Sequence, residues 1–236
     1  MKPTARIRCT VTLAALAVVA SACGGSDSEP GTPTTETTTT TTTSAAAAPS
    51  TPRIAPRDES SVGSAVTIAD YIAENDIRET PVRRGDPGAP TIDLPFPEGW
   101  RDAGADTPEW AYGAILYSGP GSEEYTPSIV ALLSRLTGDV DPDAIIEHAA
   151  GELTNLPGWE PLSRGRTSTL SGFPAYQLGG TWVQDGVTKM VAQKTTVIPG
   201  SDGWYVLQLN ADGLESQLEI VGPATDTIDD QTTITP

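Results

Sequence analysis

Apolar and polar residues alternate most regularly between residues 173 and 210, where three apolar-rich runs are separated by two readable turns. The first run, 173–184, meets Asp185-Gly186, and the second, 187–198, follows directly. A two-residue Asp-Gly loop supplies the positive φ that a type I′ turn needs at both central positions, so the pair is predicted to be a hairpin. The register follows, with Gln184 opposite Val187, Trp182 opposite Lys189 and Tyr176 opposite Thr195. Five turn-forming residues, Pro199 to Gly203, lead into the third run, 204–210, and a meander results. Its period of two places Ala175, Gly179, Thr181, Met190 and Ala192 on one face, and Tyr176, Leu178, Trp182 and Val191 on the other. Gly179-Gly180 within a strand implies that something approaches the backbone closely, a packed helix before a ligand.

The remaining pattern is shorter. Thr67 caps a predicted amphipathic helix ending at Asn75, with Ile68, Tyr71 and Ile72 inward. Residues 77–90 read as irregular chain, and Arg84-Gly85-Asp86 within them as part of a Gly-Asp-Pro-Gly turn. Strands are predicted over 91–95, 112–117 and 128–136, with helix the alternative for the last of these, and a turn at 97–100. Asp139, Asp141 and Asp143 alternate as calcium-loop ligands would, but Ala144 and Ala150 occupy the positions such a loop gives to Gly and Glu. A helix start explains them: Asp141 caps, Pro142 suits the first position and Asp143 faces the positive end of the dipole. That helix is expected to run to Leu153, with a further strand from Trp159. After Ala211-Asp212-Gly213, the spacing of Leu214, Leu218, Val221, Thr225 and Ile228 is helical, with a kink or two pieces expected at Gly222-Pro223. Residues 229–236 are expected to fray.

Before residue 61 the pattern changes. Lys2, Arg6 and Arg8 precede an apolar run, 11–20, which has the length of a signal peptide rather than a membrane span. Ala20-Ser21-Ala22-Cys23-Gly24-Gly25 resembles a bacterial lipobox, so residues 1–22 read as a lipoprotein signal peptide and Cys23 as the acylated new terminus. Residues 23–60 are rich in Thr, Pro, Ser and Ala, with unbroken threonine from 37 to 43, and read as a disordered tether spanning about 30–40 Å. Residues 61–236 then form a single globular domain. The only cysteines are Cys9 and Cys23, so that domain holds no disulfide or Cys-ligated metal. The formal charge of −17 and the scatter of the nine Lys and Arg after residue 60 argue against nucleic acid as a partner.

Chemistry is sparse. His148, the single histidine, falls on the exposed side of its helix beside Glu147, and no nucleophile elbow, zinc-protease pair, Walker loop or dinucleotide fingerprint occurs. No cofactor is expected, and the chain reads as a non-enzyme. Tyr and Trp outnumber Phe in and beside the strands, and they suit surfaces that are apolar with one wet edge. Trp110, Tyr112, Trp182 and Trp204 are the candidate ligand-binding residues. Core closure is the alternative for each, and Trp182 with Lys189 also suits a surface cation–π pair.

Residues 79–88 (ETPVRRGDPG), 107–113 (TPEWAYG), 126–133 (TPSIVALL) and 175–181 (AYQLGGT) resemble the LpqN/LpqT lipoproteins of mycobacteria and related actinobacteria. The resemblance implies an α+β, PsbP-like sandwich, an antiparallel β-sheet flanked by helices. It also implies a lipoprotein anchored at the outer face of the cell membrane through Cys23, in the mycolic-acid envelope. As partners it implies acylated trehalose or a related envelope glycolipid, and MmpL-type exporters whose lipid the protein would help to move. An apolar groove against the sheet would hold the acyl chain. A surface protein-interaction module without a lipid pocket and a glycolipid hydrolase are the alternatives.

Overall fold

The computed structural model describes Arg53, Ile54 and residues 61–236, so the signal peptide, Cys23 and most of the tether lie outside the described residues. In chain order the elements are α1 (Ile68–Glu74), β1 (Arg78–Pro81), β2 (Thr91–Asp93), β3 (Trp100–Asp102), β4 (Gly113–Tyr117) and β5 (Ser128–Thr137). There follow α2 (Pro142–His148), α3 (Gly151–Thr154), β6 (Glu160–Pro161), β7 (Arg166–Leu170), β8 (Phe173–Gln184), β9 (Val187–Pro199), β10 (Trp204–Leu214), α4 (Leu218–Gln231) and β11 (Thr233–Thr235).

The meander forms in the expected register, Gln184 opposite Val187 and Tyr176 opposite Thr195, around a turn whose Asp185 and Gly186 have φ of 52° and 78°. It is the middle of an antiparallel sheet ordered β3-β4-β5-β10-β9-β8-β6, with β1 on the far half of β5 and β7 beside β6 on β8. Helices cover both faces, an α+β architecture. On one face, Val221, Ala224 and Ile228 of α4 pack on Ile129, Leu207, Leu209 and Ala211. On the other, Ile68 and Tyr71 of α1 and Ile145 of α2 meet Leu136, Val197 and Val206, while Leu153 and Leu156 cover Leu178, Trp182 and Val191. Ile54, before the expected domain start, is buried with Ala103, Ala114, Leu116 and Val130.

Several expectations are corrected by tertiary pairing. Residues 78–81 are not irregular: they add β1 to β5, where the chain gains a ladder that its own Pro- and Gly-rich pattern does not announce. The turn at 97–100 closes into β3, which starts at Trp100. The helix expected to reach Leu153 is two, α2 and α3, divided at Ala149-Ala150, so Ile145 and Leu153 serve different clusters. The third run of the meander extends to Leu214, because Ala211 and Gly213 continue the buried alternation. Residues 229–236 do not fray: α4 continues to Gln231, and Ile234 of β11 pairs with Ile92 and donates its N–H to Ser171 Oγ at 3.0 Å.

Two further corrections concern Pro223 and Gly180. Pro223 sits inside one continuous α4 instead of dividing it. Its exposed side lets water meet the carbonyl it leaves free, and the buried stripe on either side holds the helix to the sheet. Gly180 is approached by the Trp159 indole and the Glu160 carbonyl, not by a helix: a Cβ there would lie 2.4 Å from Trp159 Cη2 and 2.5 Å from Glu160 O.

Gly180→Ala should lose about 1–3 kcal/mol in urea unfolding, whereas Gly179→Ala, whose added methyl would first meet Ala192 at 3.4 Å, should stay within about 0.5 kcal/mol. Lys189 is 4% exposed and pairs with Asp212 at 2.9 Å. Lys189→Met strands that carboxylate and should cost about 3–5 kcal/mol, and the Lys189→Met/Asp212→Leu double variant should recover most of it. In the capping box of α1, Asp70 accepts from Thr67 N at 2.9 Å and from Thr67 Oγ1 at 2.8 Å, which lowers its pKa from the ordinary 3.8. The cap is therefore stabilising above 3.8 and lost as pH falls through the lowered pKa, and an NMR titration should place the Asp70 midpoint below 3.8.

Candidate functional site

The four aromatic candidates stand in four different environments. Trp110 is 56% exposed on the loop before β4. Tyr112 is buried, its hydroxyl accepting from Ile92 N at 3.1 Å and donating to Pro90 O at 3.4 Å, with the Arg84 guanidinium 5.4 Å from its ring centre. Trp182 is 1% exposed among Leu153, Leu156 and Val191, with Lys189 Nζ 5.5 Å from its ring, so this cation–π pair is interior rather than on the surface. Trp204 is half-buried against the α1–α2 cluster. Trp182 sits opposite Lys189, which faces Leu214, ten residues along β10 from Trp204, so roughly 33 Å separates their levels in the sheet. His148 is half-buried, its ring 5.8 Å from that of Tyr71 rather than open to solvent.

A cavity of about 180 Å³ opens elsewhere, on the face that α4 covers. Its floor is a consequence of register. Gly179, Ala192 and Ala211 lie side by side on β8, β9 and β10, so three neighbouring strands present almost no side chain at one level and α4 bridges the trough. Two residues further along, Arg166, Gln177 and Lys194 stand side by side on β7, β8 and β9 and point to the same face. The opposite wall is α4, with Thr225, Asp226 and Asp229.

Each wall has its own chemistry. The sheet wall donates hydrogen bonds: Arg166 has donors only, Ser168 Oγ occupies Gln177 Oε1 at 2.9 Å and leaves the amide nitrogen as donor, and Lys194 spends one proton on Asp229 Oδ2 at 2.8 Å. The helix wall accepts through carboxylates. A group that both donates and accepts, such as a sugar hydroxyl, is matched between them. The cavity lining contains no histidine or cysteine, and no group of His, Cys, Asp and Glu suited to a metal occurs among the described residues. A hollow of about 410 Å³ beside Glu123 and Glu124 is larger and is walled by the loop at 121–124, the end of β10 at Leu214 and the start of α4 at Ile220.

Sequence reasoning missed Arg164, Arg166, Lys194 and Asp229. Part of the signal was available, since the hairpin register already sets Gln177 beside Lys194 and Gly179 beside Ala192. The partners on β7 and α4 arrive only through folding.

The family model described as "Probable lipoprotein LpqN" matches residues 64–235. The chain is 49% identical over 176 residues to lipoprotein LpqN of Mycobacterium tuberculosis (strain ATCC 25618 / H37Rv), covering 75% of this chain and 77% of that one. A proline-rich 28 kDa antigen homolog of Mycobacterium leprae is 24% identical over 137 residues, 58% of this chain and 49% of its own. Among solved structures, a crystal structure of LpqN described as involved in cell envelope biogenesis of Mycobacterium tuberculosis superposes with a TM-score of 0.69 at 50% identity, over 74% of this chain and all of that one. With most of its length matched in sequence and in structure, this chain belongs to the LpqN lipoprotein family.

Proposed function

We propose that this protein is a non-enzymatic lipoprotein of the cell envelope that holds the sugar end of an acylated trehalose, or of a related envelope glycolipid, and assists its passage from an MmpL-type exporter. The cavity with one donating and one accepting wall carries this reading, because hydroxyl-rich ligands need both. At about 180 Å³ it is smaller than the 300–1,000 Å³ usual for sites that enclose a whole ligand, so the acyl chain lies outside it. That departs from an apolar groove holding the chain. Acylation at Cys23 would anchor the chain, and the tether of residues 23–60 would keep the domain at high local concentration near an exporter. Membership of a family with a relative described as involved in cell envelope biogenesis supports the same setting. A protein-interaction module is the second reading, favoured by the exposure of Phe96 and Trp110 at 58% and 56%.

The test is a calorimetric titration of the full-length chain with trehalose monoesters of increasing chain length. No tryptophan lines the cavity, so heat is a better signal than fluorescence. Saturable binding is expected, weakened at least about tenfold in Gly179→Val, which fills the trough while adding a good strand former. A ΔCp that grows more negative with chain length would mark apolar contact beyond the cavity. Absence of heat at millimolar ester would end the glycolipid reading in favour of the interaction module.

A further inference from the structure

Charge is distributed unevenly in this protein. The chain carries 31 Asp and Glu against 14 Lys and Arg, and only nine of those cations follow residue 60. Three of the nine, Arg164, Arg166 and Lys194, line the cavity of about 180 Å³ under α4. Lys194 is met by Asp229, and Asp226 is exposed on the same wall, so the cavity holds a small positive surplus in a strongly acidic chain. No ion pair or hydrogen bond reaches either guanidinium among the described residues, whereas Arg135, Lys189 and Lys194 are all paired.

The donors are also in line. Arg166, Gln177 and Lys194 come from three adjacent strands at one level, within about 10 Å at the usual strand spacing, and Arg164 stands two residues before β7 at the cavity mouth. Water serves two exposed arginines on a surface. Lining a cavity beside an amide donor and a nearly buried lysine, they add positive charge that a neutral polyol leaves unbalanced. A phosphate, with a full negative charge and several acceptor oxygens, balances it and takes charge-assisted hydrogen bonds from the guanidiniums.

We propose that this cavity prefers ligands bearing a phosphate group, docked on the row Arg166, Gln177 and Lys194 with Arg164 closing over it. This rests on the reading of the cavity as a site for sugar headgroups and adds to it a preference for phosphorylated over neutral ones. The phosphate can belong to a soluble sugar phosphate or to a lipid headgroup, and the recognition chemistry is shared.

The experiment compares the full-length chain with trehalose, trehalose 6-phosphate and short-chain, water-soluble phosphatidylinositol by calorimetry, alongside the neutral trehalose monoesters. Trehalose 6-phosphate should bind at least about tenfold more tightly than trehalose, as expected for added charge-assisted hydrogen bonds. The advantage should disappear in Arg164→Gln/Arg166→Gln and shrink with added salt. Binding of phosphatidylinositol that is lost in the same variant supports the proposal and assigns the phosphate to a lipid. The sugar-phosphate preference without it supports the proposal and assigns a soluble ligand. Equal affinity for trehalose and its phosphate, or a preference that survives in the double variant, overturns it. If the neutral esters still bind in that case, the glycolipid site stands and only the phosphate preference falls; if nothing binds, both fall.

Discussion

β9 is covered on both faces, and the rest of the molecule is arranged around the partners its polar side chains then require. Lys189, Gln193, Lys194, Thr195 and Thr196 are all buried on this strand. A buried polar group costs free energy unless it is hydrogen-bonded, and a buried charge costs more unless it is paired. Each of these side chains except Thr195 therefore draws in a different element. Lys189 takes Asp212 of β10, which also accepts from the Tyr125 hydroxyl and so ties the 118–127 loop to the sheet. Gln193 donates to Glu152 of α3 at 2.8 Å and to Asn210 at 3.1 Å. Lys194 takes Asp229 of α4, and Thr196 donates to Pro174 O on β8. Thr195 Oγ1 is the exception, a hydroxyl without a hydrogen-bond partner.

The same strand explains why a cavity lies where it does. Lys194 pins the C-terminal half of α4 to the sheet through Asp229, while Val221, Ala224 and Ile228 press the helix onto β5 and β10. Two residues along from the pin the sheet offers Gly179, Ala192 and Ala211, residues too small to fill the space under a helix held at side-chain distance. Where apolar bulk is missing, polar groups enter from the edge strand, and the result is a small hollow with arginines at its mouth. Sheet register, helix position and site chemistry are thus consequences of one buried strand.

Much of this was legible before folding. The hairpin, its turn and its register follow from local chemistry, because Asp185-Gly186 dictates the turn and a period of two dictates the faces. The cap of α1 and the start of α2 are local as well: Thr67 with Asp70, and Asp141 with Asp143 N at 2.9 Å, are contacts between near neighbours in sequence. β1 and β11 were not legible. Each is a short segment whose stability comes from a strand far away in the chain, β5 and β2 respectively, and its own composition reads as loop or frayed end. The aromatic candidates could not be sorted by sequence for a related reason. A Trp or Tyr in or beside a strand has the same pattern whether it closes the core, as Trp182 does, or stands in water, as Trp110 does.

The sequence by itself determined the meander with its pairing, the helix caps and the acidity that argues against nucleic acid, because these depend on period, turn chemistry and composition, and the family resemblance of its motifs implied the fold class. Tertiary structure alone decided where the cavity lies and which residues surround it. Arg166 reaches Lys194 only across β8, and Asp229 reaches it only when α4 crosses the sheet. Neither approach is encoded by spacing along the chain, since a site built from four separate elements exists only once long-range pairing has set their register.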